Sequence, residues 1–62
     1  MTIDQIKKAF PKASDATVAE IWLRDLARES SAASVKAEFG FDADANGEYT
    51  VTEEEAAKIF SA

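Results

Sequence analysis

From residue 42 the chain reads DADANGEYTVTEEEAAKIF. Asp42, Asp44 and Asn46 stand at alternate positions, Gly47 follows, and Glu53 comes after five intervening residues. This satisfies in full the loop pattern D-x-[DN]-x-[DN]-G-x5-E. The chemistry it suits is that of a hard divalent cation, because calcium takes six to eight oxygens at about 2.3 to 2.6 Å. Alternate side chains converge when the chain bends around an ion, and Gly47 provides the positive φ of the bend. On this reading Asp42, Asp44 and Asn46 supply side-chain oxygens, Glu48 its carbonyl, Thr50 a water-mediated contact, and Glu53 both carboxylate oxygens.

The remaining composition excludes other chemistries. With no cysteine and no histidine among 62 residues, there are no disulfides, thiolate or imidazole zinc sites, or Ser-His and Cys-His nucleophiles. Paired carboxylates are the minimum for glycoside hydrolysis, but a chain this short forms no substrate cleft of that kind, so no catalytic residue is assigned. The net charge of −5 argues against a nucleic-acid backbone as partner. All of that imbalance belongs to one segment: between Lys36 and Lys58 there are seven acids and no base. Lys7, Lys8 and Lys12 form the one basic cluster and read as a solvated face near a helix end. The start, MTIDQIKK, has no apolar run of signal-peptide length, and no stretch reaches the roughly 20 apolar residues of a membrane span. The expectation is a soluble cytoplasmic protein.

Four helices must position the acidic run. Thr2 with Gln5 forms a capping box before Ile3, Ile6, Ala9 and Phe10, which recur at helical spacing until Pro11. The spacing predicts a helix over 3–10. Ser14 or Asp15 caps the next, with Thr17 and Glu20 as a second capping box, and a helix is predicted over 16–29. The serines of SSAAS place a break at 30–33, followed by a short helix over 34–39 that Gly40 closes in the left-handed conformation. Thr52 with Glu55 opens the last helix, with Ala56, Ile59 and Phe60 inward. The predicted architecture is one domain over 1–62, all-α, a bundle of about four short helices, with a minimal β-hairpin or strand allowed near 41–51. Its predicted core is Ile6, Phe10, Val18, Trp22, Leu26, Val35, Phe39, Ile59 and Phe60. A domain this small buries only about 60% of its unfolded surface, so a metal or a partner would add stability it needs.

Over residues 35 to 60 the chain resembles an EF-hand, through DADANG, Glu53 and the Phe41 that precedes the loop. The resemblance implies a calcium-binding module with a helix on either side of residues 42–53. Beyond the glycine the pattern departs: Tyr49 stands where the family has an aliphatic residue, and Glu54, Ala57 and Lys58 fall where its exit helix is apolar. Inserting two residues after Gly47 makes Val51 the short-strand residue and Glu55 the closing ligand, and brings Ala56, Ile59 and Phe60 into phase. The closing glutamate is therefore Glu53 by motif and Glu55 by helix phase. A second, weaker similarity runs over 6–26, whose aromatic-Pro pair, Thr-Val and Trp followed by Leu resemble the opening helices of phage helicase-loader domains. That resemblance implies a metal-free acidic helical adaptor or inhibitor that binds another protein.

The same run also reads without metal. Asn46-Gly47 is a strong two-residue hairpin signal, and a type I′ turn there pairs Asp44 with Tyr49 and Asp42 with Val51. The expectations are thus an EF-hand-like calcium module or an acidic protein-interaction module, with another protein or a second copy of the chain as partner.

Overall fold

A computed structural model describes residues 1–61 and contains four helices: α1 (Ile3–Ala9), α2 (Asp15–Glu29), α3 (Ala32–Phe39) and α4 (Glu53–Ser61). Among the described residues there is no strand. The all-α bundle follows the sequence expectation, and most helix ends sit where capping chemistry places them. Thr2 and Gln5 exchange side-chain and backbone bonds at 2.8 and 3.1 Å, the reciprocal capping box at the start of α1. The Ser14 hydroxyl accepts from Thr17 N–H at 3.2 Å and the Ser31 hydroxyl from Ser34 N–H at 3.0 Å. Thr52 and Glu55 form the box that opens α4, at 2.9 and 3.1 Å.

Some details differ from expectation: α1 ends at Ala9 and not at residue 10, and α2 begins one residue earlier, at Asp15. The break between α2 and α3 is narrower than 30–33, because Ser31 caps a helix that already includes Ala32. The Thr17–Glu20 box does not form: Ser14 already caps α2, and the Glu20 carboxylate is drawn to a distant backbone N–H described below.

The architecture is a hub. Helices α1, α3 and α4 each pack on α2, and among the described residues no two of these three pack closely on one another. The face that α2 offers them is centred on Ala19 and Leu23, both fully buried, flanked by Val18 on one side and the half-buried Leu26 and Ala27 on the other. The small Ala19 side chain leaves room for neighbours to approach. Trp22 is half-buried and meets Phe39 of α3 edge to face, ring centroids 5.3 Å apart. Leu26, Phe39, Ile59 and Phe60 surround the buried cluster.

Phe10 corrects the expected core, since it is 50% exposed. It is the C-cap of α1, with φ −129° and ψ 69°, so the chain leaves the helix before a second inward turn at this position. Pro11 enforces that departure, and Ile6 is the single fully buried residue of α1. Lys7 is also more than a solvated base, since its ammonium stands 5.0 Å from the centre of the Phe60 ring.

The start of the chain is tied to α2 by charge. The Met1 ammonium donates to Asp25 Oδ2 at 2.6 Å and lies 3.5 Å from Glu29. The hydrogen bond to Asp25 raises the ammonium pKa above its ordinary 8.0, and the same bond holds the Asp25 carboxyl below 3.8. A depressed carboxyl pKa stabilises the fold above the unfolded value and loses that effect as pH falls. A raised ammonium pKa stabilises below the unfolded value and loses that effect as pH rises. The stability difference between the native chain and Asp25→Asn should therefore be widest between pH 3.8 and 8.0 and shrink on both sides, as read by thermal melts across that range. In the core, Leu23→Ala should cost about 2 to 5 kcal/mol, while Phe10→Ala should stay within about 0.5 kcal/mol in chemical denaturation.

Candidate functional site: the acidic loop between α3 and α4

The segment from Gly40 to Thr52 joins two helices that meet only through α2. Gly40 ends α3 with φ 81°, as expected for a left-handed cap. The loop then closes on itself around Asp44. Its N–H donates to the Glu48 carbonyl at 2.9 Å, and its carbonyl accepts from Gly47 N–H at 3.0 Å. Its Oδ1 accepts from the N–H groups of Asn46 and Glu48 at 2.8 and 3.0 Å. Gly47 takes φ 78°, whereas among the described residues no non-glycine residue has positive φ. A Cβ at Gly47 would meet nothing within 4 Å, so the backbone conformation is what calls for glycine there.

This geometry corrects the hairpin expectation. A type I′ turn needs positive φ at both central residues, and Asn46 lacks it. The loop is instead a turn over Ala45 and Asn46 followed by left-handed Gly47, with Asp44 facing Glu48 and not Tyr49. Beyond it the chain alternates without a partner strand: Tyr49 and Val51 are buried, and Thr50 is exposed.

What replaces the partner strand is α2. Val51 N–H donates to Glu20 Oε2 at 2.9 Å, part-buried. Glu53 Oε1 accepts from Ala16 N–H in the first turn of α2, at 3.4 Å. The Arg24 guanidinium lies 4.0 Å from the Glu48 carboxylate. Glu20 is the residue that sequence reasoning assigned to the wrong task; its only signal was a carboxylate beside the apolar face of a helix.

The structure therefore places the motif residues as follows. Asp42 is bound to Lys36 of α3 at 2.8 Å, Asp44 to its own loop, and Glu53 to the start of α2. Asn46, Glu48 and Thr50 are exposed. Asp42 and Glu53 thus reach different helices, and among the described residues no three acidic side chains gather where they could hold a metal ion. In this arrangement neither the set running from Asp42 to Glu53 nor the acids Asp44, Glu48 and Glu55 gather around a single point.

A second count agrees with the phase of α4. Starting at Asp44, the 12 loop positions end at Glu55, and positions 1, 3, 5, 7, 9 and 12 are Asp44, Asn46, Glu48, Thr50, Thr52 and Glu55. Glu53, the first residue of α4, is then position 10, and the exit helix presents buried Ala56 with Ile59 and Phe60 packed on the core. The helix phase that favoured Glu55 is the phase observed. The cost falls on the glycine: Gly47 occupies position 4, and position 6 is Tyr49.

Because Val51 N–H is part-buried, removing its acceptor should be expensive. Glu20→Ala should destabilise by about 1 to 3 kcal/mol, Glu20→Gln by less because an amide oxygen still accepts, and Thr50→Ala by no more than about 0.5 kcal/mol. Urea denaturation of the three variants checks this. Comparison of the chain with family models, with curated proteins and with solved structures gives no match.

Proposed function

We propose that this chain is a small, non-catalytic calcium-binding module, with the ion taken by the loop from Asp44 to Glu55. The observation that carries the reading is the agreement between ligand spacing and helix phase. Asp44, Asn46, Glu48 and Glu55 stand at the side-chain positions of a 12-residue calcium loop, and α4 turns its apolar side inward from that same count. Thr50 supplies its carbonyl and Thr52 a water-mediated contact. Calcium contributes charge neutralisation and oxygen cross-links to a loop that is otherwise acidic and exposed. The protein's part is to hold the ends: Gly47 provides the bend, Val51 anchors the middle on Glu20, and the Thr52–Glu55 box gives Glu55 a defined starting place. Asp42, held by Lys36, and Glu53, which accepts from Ala16 N–H in the first turn of α2, serve as structural carboxylates.

A second reading has its own observation. Asp42, Asp44, Glu53 and Glu55 each already accept from a protein donor, so the loop is folded without an ion. On that reading the chain is an acidic helical adaptor or inhibitor that binds another protein, or a second copy of itself. Among the described residues no helix is long and apolar enough to cross a membrane.

Thermal melts in millimolar calcium and in chelator separate the readings. Calcium at 100 times its dissociation constant should add about 2.7 kcal/mol, a rise of several degrees or more in a domain of this size. Glu55→Gln should abolish the rise, while Asp42→Asn and Glu53→Gln should keep it. Equal melting temperatures with and without calcium would remove the calcium reading. Loss of the rise in Asp42→Asn and Glu53→Gln, but not in Glu55→Gln, would return the site to the count from Asp42.

A further inference from the structure

The chain has two arginines, Arg24 and Arg28, and its five other bases are all lysines. Both arginines lie on α2 one turn apart, and both line the same open cleft, about 270 Å³ in volume, between α2 and residues 43–49. Ala27, Ala32 and Ala43 give the cleft its apolar lining, and Asn46 adds an amide.

Three features set this cleft apart from an ordinary charged surface. The first is charge without a close ion pair. Arg24 reaches Glu48 only at 4.0 Å, with both side chains well exposed, and among the described residues no carboxylate lies within 4.0 Å of Arg28. Two like charges one turn apart on a helix repel unless an anion lies between them. The second is the choice of arginine. Its planar guanidinium presents a fork of donors that matches a carboxylate with two parallel bonds, which a lysine ammonium does not. The third is an orphan. Tyr49 also lines the cleft, is only 4% exposed, and its buried hydroxyl has no hydrogen-bond partner among the described residues. Buried polar groups are nearly always satisfied, so an unmatched one marks a place where a partner is missing.

We propose that the Arg24–Arg28 cleft is a binding site for a carboxylate that carries a short apolar group. The guanidiniums hold the carboxylate, and the apolar group lies along Ala27, Ala32 and Ala43. Bound there, the anion replaces Glu48 beside Arg24 and brings an acceptor to the wall that contains Tyr49. A free short-chain acid and the C-terminal residue of a peptide offer the same chemistry.

With only two arginines, the side-chain Nε–Hε signals in a ¹⁵N–¹H NMR spectrum are two, and their shifts report directly on the cleft. The titrations use the intact chain in chelator, so that the calcium loop plays no part. Butyrate should shift both signals to saturation, and butyramide should not. Arg28→Lys, checked for an unchanged circular dichroism spectrum, should weaken the saturating response of Arg24 at least tenfold. A peptide ending in valine with a free carboxylate separates the sources: tighter binding than butyrate assigns the site to a peptide C-terminus, and equal or weaker binding assigns it to a free acid. Shifts that grow linearly without saturating, an equal response to butyramide or to inorganic phosphate, or undiminished binding by Arg28→Lys would each overturn the proposal.

Discussion

Everything in this small fold leans on one helix. Because α1, α3 and α4 pack on α2 and not closely on one another, the burial that stabilises each of them is against the same 15 residues. The alternation of Ala19 and Leu23 with half-buried Ala16, Trp22, Leu26 and Ala27 gives α2 an unusually wide apolar surface, and that width is what permits three partners. The acidic loop is held to the same helix. Tyr49 and Val51 pack into the cluster that contains Leu23, and Glu20 accepts the Val51 N–H. An extended segment without a partner strand would leave its backbone groups unmatched on burial, and a carboxylate from α2 supplies the acceptor at the deepest point.

That docking separates two groups of carboxylates that look alike in the sequence. Glu20, Asp42 and Glu53 bind donors on other parts of the chain and fix where the loop goes. Asp44 and Glu55 bind donors within their own loop or helix turn, and Glu48 and Asn46 are exposed beside Arg24. The second group is the one that can turn toward a ligand without undoing the tertiary fold. Its spacing is that of the 12-residue calcium loop, with the glycine displaced to position 4. In the fold the left-handed residue, Gly47, comes early, and Tyr49 two residues on is anchored in the core.

Much of this was legible in the chain. Thr2 with Gln5, Thr52 with Glu55, and Gly40 mark helix ends because capping is local chemistry between residues a few places apart. The inward phase of α4 followed from helical periodicity alone, while the closing glutamate stayed open between Glu53 and Glu55. Less legible were the features that depend on distant partners. Trp22 drew the expected face of α2 toward itself, whereas the most buried residues are the smaller Ala19 and Leu23, and Phe10 lies outside the core because Pro11 turns the chain first. The Glu20–Val51 bond spans 31 residues and the Glu53–Ala16 bond 37, separations at which no spacing rule operates. The pairing of Asp42 with Lys36 was within reach of the sequence, six residues apart across a helix end, but the motif offered Asp42 a more conspicuous role.

The proposed site has the loop docked on α2 take calcium between Asp44 and Glu55 while Asp42 and Glu53 keep their structural partners. Backbone ¹⁵N–¹H spectra recorded during a calcium titration test it most directly. The account predicts saturable shifts concentrated at the amides of residues 44–55, with the amides of Lys36, Asp42 and Ala16 nearly unmoved. An unchanged spectrum at millimolar calcium, or shifts centred on Lys36, Asp42 and Ala16, would contradict it.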